Sequence, residues 1–302
     1  MTDIILHNYP QSPVAEKTRK AFGVKDLEWA NVTIPRIPPK PDLLPLTGGY
    51  RRTPVMQIGA DIYCDSQCVL MELDRRFPEP PFQANWGEAR WSDEILFGLA
   101  VKLVLGGNAD DLPAEFAKDR GRLYIGPNPD WHEVAKDLPH VIAQLRGALG
   151  WWQAELSNDA RFLSGNTAGL SDILAWYVVW FIRRRWAGGP DLLGQFPAIT
   201  DWESRMEAIG HGTASELTSV EALTVARNSE TVCEAYVDPN DPQGLVTGQK
   251  VFITPDSDGG DPDVTGFVRY ADHQTIAIMR EDPQTGEVCV HFPRVGYRVI
   301  AD

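Results

Sequence analysis

Residues 51–77 read RRTPVMQIGADIYCDSQCVLMELDRRF, and they describe strand, turn, strand and helix in one pass. Val55 to Ile58 and Asp61 to Cys64 are two short β-favouring runs, and Gly59-Ala60 between them is a hairpin signal. Pro54 opens the first run, where its missing N–H falls outside the interior of the ladder. Asp65 and Ser66 then supply side-chain oxygens at a helix start, and Val69, Leu70, Leu73 and Phe77 recur at helical spacing. Pro78 stops the helix.

Upstream, Ile4, Ile5 and Leu6 form a short apolar strand. His7 to Gln11 make a loop, with His7 expected as a half-buried strand residue without a role. Ser12-Pro13 has the form of an N-cap followed by proline at the first helical position. Val14, Thr18, Ala21 and Phe22 face the core of that helix, and Gly23 fits its C-cap. Residues 27–34 read as a second strand, and a proline-rich connector leads on to Leu43-Leu44-Pro45.

This order resembles the thioredoxin-like half of the glutathione transferases. Residues 12–19, SPVAEKTR, look like the first-helix motif of the zeta- and omega-like members. The resemblance implies a cis bond at Thr53-Pro54 and a glutathione site made of Lys40, Thr53, Pro54, Asp65 and Ser66. It gives Ser12 the catalytic place, with Tyr9 as the alternative donor used by other classes. A cis X–Pro bond turns the preceding N–H and C=O outward, so that they pair with a peptide ligand as one more strand would. A helix N-terminus with a free hydroxyl suits the γ-glutamyl carboxylate, and Asp65 suits the ammonium.

A thiol with a pKa of about 8.5 is only a few per cent ionised at neutral pH. A hydroxyl donating to the sulfur at the positive end of a helix raises that fraction. Ser12 is therefore read as a donor to the thiolate rather than as a nucleophile, and Ser-Pro is equally a common way to begin a helix. Omega-like enzymes form a mixed disulfide through a Cys, which Ser12 cannot do. Conjugation, isomerisation and elimination remain.

Residues 81–212 read as an all-helical half. Helices are expected over 86–105, 115–123, 139–156, 172–186 and 197–209, the fourth apolar almost all round and therefore central. Phe162 to Asn166, with Leu170-Ser171-Asp172-Ile173, looks like the helical-domain hallmark of the same family, a capping box with Asp in fourth place. Gly169 stands where the family usually has Ser or Thr. Nine of the ten tryptophans fall in this half. They suit a core, and also an apolar co-substrate site lined by the helix from Trp86 and the loop after Gly106. Arg183-Arg184-Arg185 is expected as a solvated helix end.

After a linker helix over 213–227, the pattern turns to short β runs at 232–237, 250–253, 266–270, 275–280, 288–292 and 297–300. Turns at 258–260, 283–286 and 294–296 separate them. This spacing suggests a small antiparallel SH3-like barrel appended to the transferase fold. The acidic run 256–263 has a calcium-loop composition without the register or terminal Glu of an EF-hand, and reads as a solvated loop. His291 reads as an ordinary strand residue.

The net charge is −14. Residues 1–80 are balanced, whereas 213–302 carry 6 basic against 15 acidic side chains. That sign argues against nucleic acid or an anionic membrane as partner. No apolar run approaches the ~18 residues of a membrane span, and no basic segment leads into an apolar one as in a secretory leader. The four cysteines form no metal or disulfide pattern, and Cys64 and Cys68, four apart, read as packing. A reducing cytoplasm follows as the expected setting. The expected function is a homodimeric glutathione transferase acting on a small electrophile. The alternative is a non-catalytic binding protein that reuses the fold and works through its C-terminal strands.

Overall fold

The computed structural model describes residues 4–158, 160–257 and 259–302, so the first three residues and Asp258 of the turn expected at 258–260 lie outside it. The chain divides into two units, one made of residues up to Thr18, Leu27–Arg75 and Thr213–Asp302, the other of Arg19–Asp26 and Arg76–Gly212.

The first unit begins β1 (Ile4–Asn8), α1 (Pro13–Val24), β2 (Glu28–Thr33), α2 (Leu44–Thr47), β3 (Val55–Ile58), β4 (Asp61–Cys64) and α3 (Ser66–Arg76). β1 runs parallel to β2 and antiparallel to β3, which forms the expected hairpin with β4. Gly59 sits in that two-residue turn at φ +60°, a left-handed conformation that a Cβ disfavours. The Thr53-Pro54 peptide is cis. His7 is fully buried rather than half-buried, and its Nε2 donates to Gln57 Oε1 at 2.9 Å.

The second unit holds α4 (Trp86–Trp91), α5 (Phe97–Gly106), α6 (Ala114–Tyr124), α7 (Trp131–Lys136), α8 (Leu138–Leu156), α9 (Leu170–Arg185), α10 (Gly189–Leu193) and α11 (Pro197–Ile209). A π-helical turn at Ser92–Leu96 joins α4 to α5, where the sequence suggests one continuous helix. Within α9, Ile173, Leu174, Trp176, Tyr177 and Val178 are buried in succession, as its all-round apolar pattern requires. Asp172, fully buried in its first turn, ties the unit together. Its Oδ1 accepts from Leu163 N and Trp202 Nε1, both at 2.8 Å. Its Oδ2 accepts from Ser164 N at 3.0 Å and Gly169 N at 3.1 Å. At the expected solvated helix end Arg184 and Arg185 are exposed, Arg184 pairing with Glu207 of α11, whereas Arg183 is partly buried against Glu203.

The glycine at the cap has a steric cause. A Cβ on Gly169 would lie 2.7 Å from both the Phe82 carbonyl oxygen and Ser164 Oγ. Gly169→Ser, which restores the family's usual capping residue, is therefore expected to destabilise by about 1–3 kcal/mol, because overpacking outweighs the gained cap. A urea midpoint at or above that of the parent would contradict this.

The chain then returns to the first unit as β5 (Thr213–Glu216), α12 (Ser219–Arg227), β6 (Tyr236–Val237), β7 (Lys250–Pro255), β8 (Val264–Ala271), β9 (Thr275–Asp282), β10 (Gly286–Pro293) and β11 (Tyr297–Ala301). Residues 213–227, expected as one linker helix, are a strand and a helix. β5 pairs in parallel with β2, and α12 opens on a Thr218/Glu221 capping box. The strand expected over 232–237 shrinks to β6, because side chains take its backbone donors. Val232 N–H goes to Asp61 Oδ2 and Cys233 N–H to Thr231 Oγ1.

β7 to β10 form an antiparallel meander, and β11 returns to pair with β7. These strands do not stand apart as a detached barrel. β10 pairs in parallel with β4, and the strand order runs β11-β7-β8-β9-β10-β4-β3-β1-β2-β5. The cause is a shared apolar core. Ile5, Val32, Val55 and Ile62 pack in one cluster with Ala222, Val251, Ile278, Val290 and Phe292.

Candidate functional site

His7, Val55 and Cys64 lie in one row across β1, β3 and β4. Just beyond that row the chain continues into Tyr9 and Ser12 from β1, begins at Thr53-Pro54 before β3, and passes to Asp65-Ser66 after β4. One end of three adjacent strands therefore gathers six of the seven expected site residues. The seventh, Lys40, reaches it through its side chain, with Nζ donating to Thr53 Oγ1 at 2.7 Å.

Ser12 is the N-cap of α1. Its Oγ accepts from Ala15 N–H at 3.1 Å, its carbonyl accepts from Glu16 N–H, and the residue is 2 % exposed. A hydroxyl that accepts one bond keeps its own proton to donate. Asp65 adopts φ +76°, in the left-handed region that Asp tolerates better than most residues. Its Oδ1 accepts from Gln67 N–H at 2.8 Å, holding the start of α3. Ser66 is buried at the first position of that helix. The neighbouring Gln67 Oε1 is buried with no partner among the described residues.

Residues 213–302 contribute to this end of the sheet, which nothing local in the sequence signals. Tyr297, the first residue of β11, donates its phenol to Asp65 Oδ2 at 3.0 Å, and Tyr50 OH lies 3.4 Å from Tyr297 OH. Burial and the Asp65 charge push both phenols well above the usual tyrosine value, so they stay protonated donors. Most described residues of the acidic 256–263 run are exposed, as expected of a solvated loop, but Asp261 within it holds the arginines before Thr53. Asp261, 4 % exposed at its side chain, takes Arg52 in a two-point bond at 3.1 and 2.7 Å and pairs with Arg51 at 3.3 Å. Arg51 also donates to the Gly259 carbonyl at 3.0 Å.

Chemically, the site offers a helix N-terminus and a buried hydroxyl, a main-chain edge at a cis-proline, a carboxylate with unused lone pairs, and a lysine. That set fits an extended peptide with a carboxylate at its ends and an ammonium. Cys64 and Cys68 are buried, and burial raises both thiols well above the usual value, consistent with packing.

Comparison with known proteins agrees. Family models for the glutathione S-transferase N-terminal domain and C-terminal domain match residues 6–81 and 117–205. No curated protein matches the chain. Among solved structures, a GST-like protein from Pseudomonas syringae is 33% identical with a TM-score of 0.82, and the match covers 100% of both chains. The β-etherase LigF from Sphingobium sp. strain SYK-6 is 15% identical, covering 68% of this chain and 95% of its own, with a TM-score of 0.51, which shows the fold alone. On both family models and a full-length relative that includes the C-terminal strands, the chain belongs to the glutathione S-transferase family.

Proposed function

We propose that the chain is a glutathione transferase in which Ser12 Oγ donates to the glutathione thiolate and a small, hydrophobic electrophile receives the sulfur. What supports this most is the meeting of Tyr9 and Ser12, Thr53-Pro54 and Asp65-Ser66 at one end of three adjacent strands. In this reading the Thr53 main chain pairs with the tripeptide, and Ser66 with the α3 N-terminus takes the γ-glutamyl carboxylate. Asp65 takes the ammonium and Lys40 a carboxylate. Tyr297 and Gln67 N–H occupy part of the Asp65 carboxylate, which has about four lone-pair sites, so room for an ammonium remains. A homodimer in the cytoplasm is proposed with it, dimer formation being typical of the fold.

The test is Ser12→Gly. Glycine caps a helix almost as well as serine, so stability should fall by only a few tenths of a kcal/mol, on the order seen for such caps. A hydrogen bond to a charged group is worth ~1.5–3 kcal/mol, so the bound thiol's pKa should rise by roughly one to two units. Turnover of a model electrophile at neutral pH should drop about tenfold or more and recover at alkaline pH. Unchanged turnover would remove Ser12 from the mechanism and leave Tyr9 as the donor to test.

A second reading is favoured by one observation, the 2 % exposure of Ser12 with its Oγ engaged in the cap. It makes the chain a non-catalytic binding protein that works through its C-terminal strands. Ultraviolet thiolate absorbance on mixing with glutathione separates the two. A transferase gives a thiolate band, and a binding protein of this kind gives none.

A further inference from the structure

We propose that Cys233, Cys289 and His291 form a zinc(II) site at the seam where β10 joins β4. Their ligand atoms lie within 4.8 Å of one another, although 56 residues separate the two cysteines. Strand parity explains two of the three. Cys289 and His291 are two apart on β10 and share a face, opposite the Val288, Val290 and Phe292 side that enters the apolar core. On the same face of β4, Asp61 lies beside Cys289, and Tyr63 lies beside His291 with its ring stacked at 4.5 Å.

The third donor comes from the segment before β6, and Asp61 fixes it there. Asp61 is buried, and it accepts from Thr231 Oγ1 at 2.6 Å and Val232 N–H at 2.9 Å. Arg269 Nε holds the Cys233 carbonyl at 2.8 Å. His291 Nε2 lies 2.9 Å from Asp61 Oδ1. A carboxylate only accepts, so Nε2 is the donor there, and in the neutral imidazole Nδ1 holds the lone pair available for a ligand bond. A histidine whose second nitrogen is held by a carboxylate is the usual arrangement behind a metal-bound imidazole.

Two thiolates and one imidazole suit zinc, with bonds of ~2.3 Å to sulfur and ~2.0–2.1 Å to nitrogen. Tetrahedral geometry at those lengths sets the donor atoms roughly 3.5–3.8 Å apart, so small side-chain shifts close the site. Asp61 is already engaged by three donors and orients His291 rather than ligating. The fourth position falls to water or an exogenous ligand, and each cysteine releases its thiol proton when zinc binds.

The test uses the full chain, stripped of metal by a chelator and kept reduced by a phosphine, which adds no competing thiol. Cobalt(II) titration should give thiolate charge-transfer and tetrahedral ligand-field bands that saturate at one equivalent and vanish on adding zinc. Cys233→Ala, at the partly exposed ligand, and His291→Gln should each lose the bands or weaken cobalt binding at least tenfold. Cys233→Ala should also abolish the rise in melting temperature that zinc gives the parent. Absence of bands in a reduced, folded parent would overturn the proposal. So would bands that persist in both variants, or a Cys233–Cys289 disulfide as the only product on handling.

Discussion

Asp172→Ala is expected to lower the unfolding free energy of the helical unit by about 4 kcal/mol, near the upper end for one substitution. The carboxylate accepts from Leu163 N, Ser164 N, Gly169 N and Trp202 Nε1, all within 3.1 Å, at a position with no solvent exposure. Each buried donor left without a partner costs roughly 1–3 kcal/mol, less where water can follow. Four such donors would sum to roughly 4–12 kcal/mol, and because the costs do not add, the expectation sits at the low end of that sum. Asp172→Asn separates charge from size. One amide oxygen serves two donors at most, while its NH2 faces the rest, so Asn should be nearly as damaging as Ala. Nine tryptophans report on this half of the sequence. Urea unfolding followed by their fluorescence measures the loss directly, and a midpoint within error of the parent for either variant would refute the account.

Acid should weaken the sheet unit through His7. Burial lowers its pKa to about 4 from an ordinary 6.5, although the Gln57 bond opposes the shift. Between those values the unfolded chain binds a proton that the folded protein does not. Stability therefore rises with pH across that window and is lost as pH falls through it. At ~1.4 kcal/mol per pKa unit, the loss from pH 7 to pH 4 is about 3 kcal/mol. The contribution is fully present above pH ~6.5. His7→Gln keeps a donor for Gln57 and cannot titrate. Urea midpoints at pH 7 and pH 4.5 should converge in that variant relative to the parent. Asp61, held below the ordinary carboxylate range partly by His291 and Thr231, adds acid sensitivity of the same sign that His7→Gln leaves in place. An unaltered drop in His7→Gln would assign the acid loss elsewhere.

What the sequence discloses follows contact range. β3, β4 and α3 are legible because a hairpin turn, a cap and a helical period all lie within 27 residues of chain. Ser12 reads as a cap because its partner, Ala15, is three residues on. α7 and α10, at 6 and 5 residues, are too short for a period to register. The pairing of β10 with β4 carries no local signal, since alternation tells which face of a strand is apolar and not which strand lies beside it. Tyr297 at Asp65, Asp261 at Arg52 and the Cys233, Cys289 and His291 cluster all depend on that pairing. They were hidden for one common reason. The expectation of a separate appended barrel has the same origin, because a meander with a returning last strand reads alike whether its edge is open or, as here, joined to β4.

The joining of β10 to β4 and of β5 to β2 also sets a timetable for synthesis. β4 leaves the ribosome roughly 230 residues ahead of β10, and at ~5–20 residues per second it waits about 10–45 s for its neighbour. Over that interval the β4 border of the nascent four-strand sheet stands bare, and the β2 border does so until β5 emerges about 70 residues before β10. Either a chaperone shelters them or the amino-terminal segment stays loose until the last strands arrive, so translation speed and chaperone supply should govern the yield of this protein.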